Sequence, residues 1–94
     1  MGARLERLVE IALRDVLDPE MGRSVIDLGL IYAIEATPDG AVGITMTTTT
    51  RGCPLTGFLK EAVAVAAGAI EGVRGVTVTL TYEPAWQPAM VAAE

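Results

Sequence analysis

The residues with the most chemical potential sit in one stretch, Thr47-Thr48-Thr49-Thr50-Arg51-Gly52-Cys53-Pro54-Leu55-Thr56-Gly57, which holds the only cysteine among 94 residues. Proline is well accommodated at the first position of a helix, where its missing N–H had no partner to lose. Pro54 therefore reads as a helix start, with Cys53 at or beside the N-cap. A helix N-terminus carries partial positive charge and N–H groups without intrahelical acceptors. With Arg51 two residues away, these effects favour the thiolate, which is the nucleophilic and metal-binding form of cysteine. The first turn after Pro54 has no acid to offset that field, and Gly57 leaves room for a ligand or a second backbone to approach. A single cysteine is also a common small apolar filler of cores, and the sequence leaves both roles open.

Carboxylates are the next candidates. Asp18 and Glu20 flank Pro19 in a turn-prone segment. They would serve either as hard oxygen ligands or a polar wall beside Cys53, or as ordinary solvated turn residues. Asp27 lies inside the apolar run Val25–Tyr32. Burying a carboxylate unpaired is costly, so its place there calls for local hydrogen bonding or a function.

What the chain lacks is equally informative. It has no histidine, the usual general base and metal ligand near neutral pH. A Cys–His catalytic pair within the chain is excluded, as is a self-contained zinc site of four Cys and His ligands. Any metal held through Cys53 must take further ligands from a second subunit, a partner or a small molecule. The net charge of −5 argues against nucleic-acid binding, which needs a basic surface. No apolar run reaches the length of a membrane span and no signal peptide opens the chain. One cysteine makes no internal disulfide, so a cytoplasmic location is expected.

The elements that must position these groups follow from periodicity. Residues 1–94 read as one domain, and the 51% apolar content supplies a modest core. Leu5, Leu8, Val9, Ala12, Leu13, Val16 and Leu17 fall on one face of a helix over residues 4–17, with Glu10 and Arg14 paired on the other face and Pro19 as the stop. Gly29 suggests a bend or close backbone approach before a strand reaching Ala36. Thr37-Pro38-Asp39-Gly40 is a strong turn signal. The next strand, over 41–48, alternates Val42, Ile44 and Met46 with Gly43, Thr45 and Thr47, completing a hairpin. A second helix is expected over 54–71, with Leu55, Phe58, Leu59, Ala62, Val63, Ala66, Ile70 and Val73 as its buried stripe. A last strand over 76–83 sets Val76, Val78, Leu80 and Tyr82 against a threonine face. The expectation is a two-layer α/β (α+β) domain, helix–strand–strand–helix–strand. It has a mixed three-stranded sheet, with both helices on one face. Trp86, in a tail with two prolines, is expected to cap the core, with a place beside the Cys53 loop or in a subunit contact as alternatives.

Four pieces in this order carry a resemblance: Asp18-Pro19-Glu20; Asp27-Leu28-Gly29-Leu30-Ile31-Tyr32; Thr47-Thr48-Thr49 leading to Gly52-Cys53-Pro54; and Pro84-Ala85-Trp86. From about Val9 to Met90 the chain resembles the small metal–sulfur cluster assembly proteins, the SufT-like and PaaD-like family. The resemblance implies a non-enzymatic maturation factor for iron–sulfur proteins, with iron or an iron–sulfur cluster bound transiently. It maps the family cysteine onto Cys53 as cluster or iron ligand, its acidic positions onto Asp18, Glu20 and Asp27, and its threonine onto Thr47 or Thr48, all lining one pocket with Arg51, Gly52 and Pro54. The partners it implies are iron–sulfur client or scaffold proteins. The PaaD branch, which serves the phenylacetate ring-oxygenating complex, typically has a cysteine-rich C-terminal extension, whereas no second cysteine occurs here. The tail also reads Pro-Ala-Trp where the family often has Pro-Pro-Trp.

Two further readings remain beside this one. One is a thiol-dependent enzyme or redox protein using Cys53, weakened by the missing histidine. The other is an interaction module in which Cys53 is structural. Because one cysteine supplies one sulfur ligand, binding is expected to be weak, with no cluster in protein isolated in air. A homodimer is expected from the small core and the uncovered threonine face.

Overall fold

The computed structural model describes residues 2–49 and 56–91. Arg51, Gly52, Cys53 and Pro54 therefore lie outside the described residues. Helix α1 (Gly2–Leu13) packs on strand β3 (Ile31–Ala36), and α2 (Thr56–Gly68) packs on β5 (Gly75–Leu80). The two helices also touch each other, so both cover one face of a sheet ordered β3–β4–β5, with β4 spanning Ala41–Met46. β3 and β4 are antiparallel, and β4 and β5 are parallel with α2 as the connection. This is the architecture that the periodicity implied.

The core lies between sheet and helices. Val42, Ile44 and Met46 bury alternate positions of β4 beneath Val9 and Leu13 of α1 and Leu59, Val63 and Ala67 of α2. The turn before β4 closes with Gly40 at φ +97°, where a Cβ would run into the Gly72 carbonyl. The Gly40 carbonyl in turn accepts the Arg74 N–H at 2.8 Å. Only glycine satisfies both the backbone angle and the close approach.

Several sequence expectations need correction. α1 ends at Leu13, not near Leu17. The chain tightens through N–H bonds from Arg14 to Ile11, Asp15 to Ala12 and Val16 to Leu13, each spanning three residues. This turns Leu17 outward, 55% exposed, while Val16 stays buried. Leu8 is also exposed. The segment after α1, read as loop, carries a short antiparallel ladder of β1 (Leu17–Asp18) and β2 (Arg23–Ser24). Phe58, placed on the buried stripe of α2, is 59% exposed. Thr47, set in alternation against Val42, Ile44 and Met46, is fully buried like them, because β4 ends at Met46 and the alternation ends with it.

A bulge explains a further irregularity. Ile31 pairs with Met46, but Ala33 pairs with Thr45, so β3 advances two residues while β4 advances one. The extra residue is Tyr32. A β-bulge of this kind resets the alternation of the strand. It lets Ile31 and Ile34, an odd number apart, both pack against the core.

Candidate functional site

Of the described candidates, Thr47 and Thr48 directly follow the end of β4. Thr47 donates its N–H to the Leu30 carbonyl at 2.8 Å, Leu30 donates to Val25 at 3.0 Å, and Val25 to Val16 at 2.9 Å. These bonds step from the end of β4, through the turn over residues 25–29, to the corner that holds Asp18. On the other side, Thr81 donates to the Met46 carbonyl at 2.9 Å, which extends the parallel ladder past β5. Thr48 Oγ1 and the Tyr82 hydroxyl then lie 2.8 Å apart, in hydrogen-bond contact. The hydroxyl of Thr47 donates to the Thr48 carbonyl at 3.4 Å. Both threonines are buried, and the chain runs on from here through Thr49 toward Cys53.

The two acids around Pro19 have separate roles. Asp18 is 3% exposed, and its Oδ1 accepts the N–H groups of Glu20 at 2.8 Å and Met21 at 3.3 Å. Its own carbonyl takes the Gly22 N–H at 2.7 Å, with Gly22 at φ +68°. Asp18 thus organises the β1–β2 corner from inside, as Asp side chains do in local turns. Glu20 is exposed. Asp27 differs from both: it is half-buried in the turn before β3, and its carboxylate has no hydrogen-bond partner among the described residues. No cluster of three or more Cys, Asp or Glu suited to a metal ion occurs among the described residues.

The tail closes over this end of the sheet. The Trp86 indole N–H donates to the Leu28 carbonyl at 2.6 Å, and its ring packs against the core. The Tyr32 hydroxyl donates to the Pro84 carbonyl at 2.7 Å and lies 3.7 Å from Met90 Sδ. Gly29, at φ +73°, faces the Met90 carbonyl at a distance that leaves no space for a Cβ. At the start of α2, Thr56 Oγ1 is shielded from solvent and has no hydrogen-bond partner among the described residues.

Sequence reasoning missed Tyr32, Tyr82 and Met90 as parts of this end. The two tyrosines carried a signal: a phenol at a strand terminus has an apolar ring for the core and a polar tip that needs a partner. Met90 carried none.

An iron–sulfur cluster assembly protein model matches residues 6–80, a span that includes the Thr47–Pro54 stretch. The chain belongs to this family. It is 44% identical over 82 residues to the Fe–S protein maturation auxiliary factor of Porphyromonas gingivalis, covering 87% of this chain and 78% of that one. It is 34% identical over 76 residues to an iron–sulfur cluster carrier protein of Mycobacterium tuberculosis, covering 81% of this chain but 20% of that longer one. Its fold superposes on the crystal structure of a domain of unknown function from Bacillus anthracis with a TM-score of 0.93 and 28% identity, covering 97% of this chain and 87% of that one. The resemblance carried by the four sequence pieces thus leads to the right family. Among the described residues, no helix of this family member is long and apolar enough to cross a membrane.

Proposed function

We propose that this protein is a non-enzymatic maturation factor that takes iron or an iron–sulfur cluster as cargo through Cys53 and passes it to client proteins. The observation that carries this reading is the family match across residues 6–80, a span in which Cys53 is the only thiol. Fe–S clusters are held by cysteine thiolates, four in the common cluster types. One thiolate per chain therefore makes a partial anchor, completed by a scaffold, a client, a second copy or a small molecule. Transfer is then ligand exchange: a client thiolate replaces the Cys53 thiolate at iron, with no net redox change. A cytoplasmic setting, where thiols stay reduced, suits such a carrier.

The surrounding groups have distinct parts in this reading. Thr48 and the neighbouring Tyr82 supply hydroxyls at the end of β4, and Asp27 supplies a carboxylate in the turn before β3. Glu20 is the outer carboxylate, and Asp18 fixes the corner that presents it. In sequence Arg51, Gly52 and Pro54 flank Cys53, and the charge of Arg51 favours its thiolate. Trp86 holds the turn that carries Asp27.

Anaerobic reconstitution with iron and sulfide tests the proposal. Protein isolated in air should be colourless, and reconstituted protein should show a substoichiometric Fe–S absorption. Cys53→Ala should lose that absorption and Cys53→Ser should keep little of it. If Cys53→Ala reconstitutes as well as the parent, the carrier reading fails and a docking or scaffold role takes its place.

A further inference from the structure

The two edges of the sheet are finished differently. At β3, the outward N–H of Ala36 is capped by Glu6 Oε2 of α1 at 3.0 Å, and the Tyr32 bulge interrupts the strand. Capping groups and bulges are standard protections against unwanted strand pairing. At β5 neither device is present. Gly75-Val76-Thr77-Val78-Thr79-Leu80 has no charge, no proline and no bulge.

The direction of the free groups at β5 follows from the register. Val78 pairs with Ile44 and Leu80 with Met46 in the parallel ladder, and the Thr81 N–H reaches the Met46 carbonyl. Main-chain groups alternate along a strand. Those of Thr77 and Thr79 therefore face β4, and those of Val76, Val78 and Leu80 face outward. None of these three has a partner for its outward groups among the described residues. Alongside runs a groove of about 740 Å³ between this edge and α2, walled on the helix side by Lys60, Glu61, Ala64, Val65 and Gly68. Val65 is 66% exposed there.

We propose that β5 pairs antiparallel with β5 of a second copy, about a twofold axis at Val78, joining two three-stranded sheets into one. An odd number of outward residues centred on Val78 makes the edge complementary to itself. Val78 meets Val78, and Val76 meets Leu80 on each side, giving three pairs that each exchange two N–H···O bonds. Thr77 then lies directly opposite Thr79 on the open face. Ala64 and Gly68 leave space for the α2 helices to approach across the groove. A twofold contact of this type is the commonest form of self-association. This inference rests on backbone geometry and holds whether or not Cys53 binds iron.

Charge exchange at the exposed threonines tests it. Thr77→Lys with Thr79→Lys sets lysines opposite lysines across the seam, and Thr77→Glu with Thr79→Glu does the same with acids. Both positions point to solvent in the single chain, and the circular dichroism melt of each variant reports whether it folds. The parent should sediment as a dimer at micromolar concentration. Its Val76, Val78 and Leu80 amides should exchange more slowly as concentration rises. Like charges directly opposite are destabilising, so each variant alone should dissociate about tenfold more readily or worse. An equimolar mixture of the Lys and Glu variants should recover the dimer. A parent that stays monomeric to hundreds of micromolar overturns the proposal and leaves the edge to a foreign strand. Dimerisation undiminished in the lysine variant, or a mixture that stays monomeric, overturns it in favour of another surface.

Discussion

Trp86 and Leu28, 58 residues apart in sequence, are joined by a 2.6 Å hydrogen bond from the indole N–H to the main-chain carbonyl. The bond fastens the C-terminal tail to the turn that precedes β3. Tyr32 to Pro84 and Gly29 against Met90 repeat the same connection on either side. The tail is therefore part of the structure that holds Asp27 and the end of β4 in place.

Trp86→Phe keeps most of the apolar contact but removes the donor. A hydrogen bond of this kind contributes about 1 kcal/mol net, and a carbonyl left buried without a partner costs about 1–3 kcal/mol. A loss of roughly 1–2 kcal/mol in urea unfolding, followed by circular dichroism, is expected. An unchanged midpoint would mean that the tail does not brace the turn.

Much of this arrangement was legible in the sequence, and the failures have physical causes. Strict alternation at Val42, Ile44 and Met46 placed β4, and the Thr37–Gly40 signal placed its turn. Gly29 announced a close approach, though not that Met90 would be the neighbour. Leu17 and Phe58 were put in the core because apolar spacing shows which residues share a face, not where the helix stops or what covers it. Thr47 reads as one more position opposite Val42, Ile44 and Met46, because alternation does not show that the strand ends at Met46. The Tyr32 bulge was hidden because an odd spacing of isoleucines reads as imperfect alternation. The site was legible as a set of residue types in order. The division of labour between Asp18 and Asp27 was not, because it depends on which carboxylate its own backbone captures.

Two glycines with nearly the same backbone angle separate conformational from steric cost. Gly22 (φ +68°) has no atom within 4 Å of a built Cβ, whereas at Gly29 (φ +73°) that Cβ would collide with Met90. Gly22→Ala should cost only the left-handed penalty, about 1–2 kcal/mol. Gly29→Ala should cost clearly more, because the tail must also shift. Equilibrium unfolding of the two variants side by side checks the order, and equal losses would remove Met90 from the account.

Thr48 and Tyr82 join the ends of β4 and β5 through their hydroxyls at 2.8 Å. In a double-mutant cycle of Thr48→Val and Tyr82→Phe, the two losses should not add. Residues in direct contact typically couple by about 0.5–3 kcal/mol. Additive losses would show that the two hydroxyls act independently.

Asp18 offers the sharpest separation of fold from cargo. Its Oδ1 accepts the Glu20 and Met21 N–H groups from a nearly buried position. Asp18→Asn retains an acceptor oxygen at that place, whereas Asp18→Ala leaves two N–H groups unsatisfied. The alanine variant should therefore lose about 0.5–2 kcal/mol, as caps of this type do, and the asparagine variant much less. Adding Glu20→Gln to Asp18→Asn removes both charges while leaving the corner intact, so its melting temperature should stay close to the parent's. Under the carrier reading, this double variant should retain less iron than the parent after anaerobic reconstitution, with Cys53 present in both. Equal iron retention with an unchanged melt would assign both carboxylates to the turn alone and leave Asp27 as the acidic group of the site.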